Sequence, residues 1–207
     1  MQTRPRMDRD ARREAILDVA QEVFLEEGFA AASMSTIAAR LGGSKGTLYN
    51  YFKSKDELFA AYVERRCPWQ HDEIFAVKPD GKTPLQTLQR LGQGYLRHIM
   101  NDQNLRNFRI IAAEAERSPR IGQVFYEAGP KRGTERIADL LVQMERDGAL
   151  DLDGDPLLAA KYFLAMVNNH LFKARLCNAI PELTPQQIDE ESANAARVFL
   201  RAYAKRS

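Results

Sequence analysis

Four times along this 207-residue chain a capping side chain stands directly before a proline, at Thr83-Pro84, Ser118-Pro119, Asp155-Pro156 and Thr184-Pro185. A short polar side chain satisfies the free N–H groups of a first helical turn, and proline fits that turn because its missing donor is one a helix leaves unpaired anyway. Each pair therefore predicts a helix start, and Thr184 is followed three residues on by Gln187, the spacing of a capping box. Between the starts, Leu85, Leu88, Gly92, Tyr95 and Ile99 recur at helical spacing, as do Leu105, Phe108, Ile111, Ala112 and Ala115. Gly28, Gly81, Gly148 and the stretch from Asn178 to Pro181 supply stops, and period-two alternation with hairpin turns does not occur. An all-α chain of about nine or ten helices is expected.

The front of the chain is organised differently from the rest. A first helix, Asp8 to Glu27, buries Ile16, Ala20, Val23 and Phe24 and stops at Gly28. Ser33 then caps a short helix carrying Ile37, Ala38 and Leu41, Gly42-Gly43 turns the chain, and Ser44 caps a second short helix, Lys45 to Phe52. Two short helices across a glycine turn are the helix-turn-helix pattern, here within residues 33 to 55. On the second helix Leu48, Tyr51 and Phe52 fall on one side, while Gly46, Asn50 and Lys53 point the other way, with Thr47 and Tyr49 on the flanks. Gly46 lets the backbone approach a groove, and Asn50 offers a donor and an acceptor to adenine or phosphate. Ser54-Lys55-Asp56-Glu57 reads as a capping box whose free N–H groups, with Lys55, make a phosphate site.

Charge placement agrees. No Asp or Glu occurs from Gly28 to Lys55; through Lys55 there are nine basic and seven acidic residues, and 21 of each follow, so any anion is attracted to the front. Arg4, Arg6, Arg9, Arg12 and Arg13 form either a solvated terminus or an arm on the DNA backbone.

The stretch Ser33 to Phe59, with its core Ser-Lys-Gly-Thr-Leu-Tyr-Asn-Tyr-Phe-Lys-Ser-Lys, resembles the DNA-binding signature of the TetR family over residues 11 to 63. The resemblance implies DNA contacts at Thr36, Ser44, Lys45, Gly46, Thr47, Tyr49, Asn50, Tyr51 and Lys55. Gly43 departs from the family, which usually has an apolar residue such as valine there; a looser turn is expected. Residues 106 to 149 resemble the C-terminal domain of AefR-like repressors. That resemblance implies a homodimer joined through the last two helices, repression at a palindromic operator of double-stranded DNA, and release by a small apolar or aromatic effector. The expected domains are residues 1-53, a three-helix DNA-binding head, and 54-207, a larger helical regulatory, ligand-binding and dimerisation domain.

The residues independently permit such a back half. The helix from Leu157 to Phe172 is apolar almost all round and needs partners on more than one side. The last helix lines up Ser192, Ala195, Ala196, Phe199 and Tyr203; with Val167 and Leu171 they form either a dimer interface or an intrachain core. Trp69, Tyr95, Phe108, Phe125 and Phe163, with His98, Glu114, Asn169 and His170 as polar handles, are candidates for an effector pocket or ordinary core.

Other functions lack support. His71, His98 and His170 are scattered and no nucleophile elbow, zincin, Walker or dinucleotide motif is present, so no enzyme, metal or cofactor is expected. His71-Asp72-Glu73 diverge around a helix, and Asp151 to Asp155 has its glycine at the wrong position for a calcium loop. Cys67 and Cys177 form no ligand or disulfide pattern, although Arg65 and Arg66 leave a redox role for Cys67 open. With 44% hydrophobic and 28% charged residues and no membrane-length apolar run, a soluble cytoplasmic globular protein is expected, with no membrane partner. The alternative from another class is a helical small-molecule-binding protein whose DNA-reading head is not functional.

Overall fold

The computed structural model describes residues 8–66 and 83–205. Its helices are α1 (Arg9–Ala31), α2 (Met34–Arg40), α3 (Lys45–Tyr49), α4 (Lys55–Arg66), α5 (Pro84–Met100), α6 (Asp102–Ala115), α7 (Pro119–Tyr126), α8 (Arg132–Arg146), α9 (Pro156–Asn168), α10 (Leu171–Leu176) and α11 (Pro185–Tyr203). A π-helical turn, Glu127–Lys131, joins α7 to α8 without a break. Counting that uninterrupted helical run once gives ten helices among the described residues, an all-α protein as expected. The same residues contain no strand, only an isolated bridge between Leu150 and Ala204.

The helix starts follow their caps. Thr83 and Thr184 each accept a bond from the backbone N–H three residues on and donate their own backbone N–H to the glutamine side chain in return, at 3.3 and 3.0 Å for Thr83 with Gln86 and 3.2 and 2.9 Å for Thr184 with Gln187. Asp155 accepts from the Leu158 N–H at 2.9 Å. Ser118 makes no such bond, so Pro119 alone marks the start of α7. Gly28 interrupts α1 with a φ of 77°, after which one more turn closes at Ala31.

The chain divides into two compact units, Met1–Cys67 with Ile110–Ala128, and Pro68–Arg109 with Gly129–Ser207. The expected boundary after Lys53 would have left α4 with the second unit; the first unit instead runs on through α4 and recruits the end of α6 and all of α7. Its core joins Ile16, Leu17, Ala20, Val23 and Phe24 to Ile37, Leu48, Phe52, Leu58, Phe59 and Tyr62. Phe59 meets Phe24 at 5.2 Å and Phe29 at 5.0 Å between ring centroids, both edge-on, a favoured aromatic geometry. Helix α4 also packs on α7, where Ile121 is buried.

In the second unit α11 packs against α5 and α9. Phe163 meets Phe199 edge-on at 5.3 Å, and Tyr203 stacks on Phe199 at 4.6 Å. Of the two readings of the expected interface residues, these contacts support the intrachain core. Val167, Ser192, Ala195, Ala196 and Phe199 are buried inside the protomer, and Leu171 and Tyr203 are half-buried against the same core. The small residues admit a neighbouring helix of the same chain: a Cβ added at Gly92 would stand 3.1 Å from the Ser192 Cβ. What α9 and α11 leave exposed is a different set, Leu157, Leu158, Tyr162 and Val198.

Candidate nucleic-acid interface

The turn between α2 and α3 is built by its backbone. Gly42 N–H donates to Ala39 O and Gly43 N–H to Ala38 O, each at 3.1 Å, which satisfies two of the carbonyls left open at the end of α2. Gly42 has a φ of 67°, the left-handed conformation this closure requires, whereas Gly43 lies outside that region. The turn is therefore a closed helix stop.

Capping sets the two helices on either side. Ser33 Oγ accepts from Thr36 N–H at 3.0 Å and shares a bond with the Thr36 hydroxyl at 2.9 Å. Ser44 repeats the pattern with Thr47, at 3.2 and 3.1 Å. Regular helix covers only Lys45–Tyr49, and the Phe52 N–H still bonds back to Leu48 O at 3.0 Å. Leu48 and Phe52 are buried, which turns the rest of the helix outward. Ser44, Lys45, Gly46, Tyr49, Asn50 and Lys53 are exposed, and Thr36, Thr47 and Tyr51 are half-buried. Tyr49 is 49% exposed, unusual for so large an aromatic ring with no partner of its own fold to cover it. Gly46 would accept a Cβ with only an ordinary 3.6 Å contact to Ser44 Oγ, so nothing inside the chain demands glycine there.

Lys55 is placed differently from the other expected contacts. Its ammonium donates to the carbonyls of Phe29, Ala30 and Ala32 at 2.6, 3.3 and 2.9 Å and lies 4.3 Å from the Phe29 ring centroid. It thus caps the last turn of α1. The capping box at the start of α4 is offset by one residue: Ser54 Oγ accepts from Glu57 N–H at 3.1 Å, but the Glu57 carboxylate receives the Lys53 N–H, at 2.7 Å.

The expected effector residues are not gathered in one unit. Trp69 lies outside the described residues, as do Cys67 and His71. Glu114 and Phe125 belong to the first unit. In the second, Phe163 is spent in the core against Phe199. Asn169 links the end of α9 to α11 through Glu191 at 2.8 Å and accepts the Leu171 N–H, while His170 is exposed. Tyr95, His98 and Phe108 remain half-buried; His98 lies beside the Asn104 amide at 3.1 Å, and Phe108 meets Phe172 edge-on at 5.2 Å. Burial pushes the Tyr95 hydroxyl up to about 12.

Comparison with known proteins gives this arrangement its class. Residues 16–62 match the model of bacterial regulatory proteins of the tetR family, and residues 86–205 match that of the AefR-like transcriptional repressor C-terminal domain. The chain belongs to the TetR family of transcriptional regulators, DNA-binding factors and not enzymes. Among its relatives, it is 29% identical to the transcriptional repressor BepR of Brucella suis over 163 residues, 77% of this chain and 78% of that one. It is 48% identical to the transcriptional activator FasR of Mycolicibacterium smegmatis over 60 residues, 29% of this chain but only 27% of the activator. In structure it is similar to a TetR-family regulator from Mesorhizobium loti, with TM-score 0.83, 26% identity and coverage of 95% and 99%. It is also similar to the Flavonoid-responsive Regulator FrrA, with TM-score 0.80, 32% identity and coverage of 94% and 98%. Among the described residues no helix is long and apolar enough to cross a membrane.

Proposed function

We propose that the chain is a homodimeric repressor that binds a palindromic operator through the outward face of α3 and lets go when a small apolar or aromatic effector binds its second unit. The observation that carries the reading is that face: Lys45, Gly46, Tyr49 and Asn50 are exposed on a helix whose opposite side is locked into the core. An exposed tyrosine, an amide and a glycine that the fold does not need suit a groove, where the helix backbone comes close and side chains reach base edges. Ser44, Thr47 and Thr36, already engaged in capping, present their remaining hydroxyl valences to phosphates, and Tyr51 flanks them.

A dimer is supported by the exposed Leu157, Leu158, Tyr162 and Val198 on α9 and α11, apolar side chains that a second copy would cover. Two-fold symmetry relates two such reading helices, so the operator is a palindrome. Repression is favoured over activation by the longer match to BepR, and steric exclusion is its simplest mode. Release needs an effector that binds the non-operator conformation more tightly. The similarity to the Flavonoid-responsive Regulator FrrA makes flavonoids, planar phenols, the class to try first.

The test is selection of bound sequences from random duplexes by the purified protein, followed by mobility shifts. A palindrome is expected, with Tyr49→Ala losing about 1–3 kcal/mol of affinity while melting like the wild type. A panel of planar phenols should then release the duplex. Failure to select any duplex, with tight binding of a phenol, would favour the helical small-molecule-binding protein whose head does not read DNA.

A further inference from the structure

We propose that Arg12 of α1 is a DNA-phosphate contact and that Gly43 is the residue that makes room for it. The inference rests on the DNA-reading role of α2 and α3. A Cβ built at Gly43 would stand 3.3 Å from Nη2 of Arg12, so the guanidinium lies directly over the turn that precedes the exposed Ser44 and Lys45. Gly42 carries the left-handed conformation the turn requires, and Gly43 is not among the glycines with positive φ. Space, not backbone freedom, is therefore what the second glycine supplies.

Arg12 differs in its partners from Arg13, Arg40 and Arg65. Arg13 lies 3.6 Å from Glu14 and 5.4 Å from the Phe52 ring centroid. Arg40 pairs with Glu26 and Glu27 at 2.6 and 3.2 Å, and Arg65 with Asp18 and Glu14 at 2.7 and 3.3 Å. Arg12 has no carboxylate partner among the described residues. The turn it covers belongs to the segment from Gly28 to Lys55 that contains no acidic residue. A half-buried guanidinium held by a helix, left uncompensated beside a reading helix, fits a phosphate oxygen pair with little ordering cost. A branched side chain at residue 43 would occupy the place of that guanidinium and push it away from the turn.

The test uses the full chain and a duplex selected by the wild-type protein from random sequence. Dissociation constants are measured for wild type, R12Q, G43V and R12Q/G43V from about 50 to 200 mM salt, across which each phosphate contact accounts for about 3.5-fold of the lost affinity. R12Q should reduce that loss by about this factor per bound protomer, G43V should do the same, and the double variant should match either single one. Should G43V melt early, G43A replaces it, since one Cβ already enters the tight contact. A wild-type slope in R12Q overturns the proposal. A G43V substitution that weakens the R12Q protein as much as the wild type overturns the role given to Gly43. A wild-type protein that selects no duplex overturns the DNA-reading role itself, a failure distinct from either of these.

Discussion

The Nζ of Lys55 lies 2.6 Å from the carbonyl oxygen of Phe29 and 4.3 Å from the centroid of the same residue's ring. One side chain at the start of α4 thereby closes the end of α1, where the Gly28 break leaves carbonyls without helical partners. Lys55→Met should lower unfolding stability in urea by about 1–3 kcal/mol through the lost charge-assisted bonds and cation–π contact. The salt slope of DNA binding should stay as in the wild type. A flattened slope with unchanged stability would assign Lys55 to phosphate instead.

Gly92 and Ser192 set how closely α5 and α11 approach. Gly92→Ala forces a Cβ to 3.1 Å from the Ser192 Cβ, against backbone-anchored atoms that cannot swing aside, and should cost about 1–3 kcal/mol. Adding Ser192→Gly should recover part of that loss. Additive losses in thermal melts would show that the two residues do not meet.

Tyr95 predicts an alkaline limit. Its hydroxyl is pushed by burial up to about 12, so above the ordinary value near 10 the unfolded chain ionises while the folded one holds its proton. The stabilising effect is complete below the unfolded pKa and is lost as pH rises through the folded one. Tyr95→Phe should remove the part of the stability decline in that window that belongs to this hydroxyl, roughly 2–3 kcal/mol across the interval. Identical pH–stability curves for the two proteins would count against a buried hydroxyl at residue 95.

Tyr162, 48% exposed on α9, separates the two faces of its helix. Tyr162→Glu should turn the proposed dimer into a monomer in sedimentation experiments while the melting temperature of the protomer fold changes little, because a charge buried between copies is costly and the same charge in water is not. A dimer that persists would move the interface elsewhere.

Much of this was readable in the sequence where the determinants are local. Ser33, Ser44, Thr83 and Thr184 announce their helices because a cap acts within four residues, and the outward set on α3 follows from where Leu48 and Phe52 must go. The stripe from Ser192 to Phe199 was not legible in the same way. Small residues state that a helix comes close without stating whose helix it is, and here the answer was α5 of the same chain. Lys55 is ambiguous for a similar reason: a lysine beside a helix N-terminus suits a phosphate, and only the fold brings the carbonyls of Phe29 and Ala32 within reach. The aromatic residues assembled by type, Phe125 with Phe163, belong to different units, a long-range fact that periodicity does not carry.

The division of the chain bears on how such a protein exchanges parts over time. Because the first unit is assembled from Met1–Cys67 and Ile110–Ala128, a single recombination event in the gene cannot transplant it whole. A crossover after residue 67 would bring a foreign α4 against a resident α7, and the buried Ile121 would meet a surface it did not evolve with. Residues 110 to 128 therefore act as a compatibility filter, passing only donors whose α4 suits the resident seam.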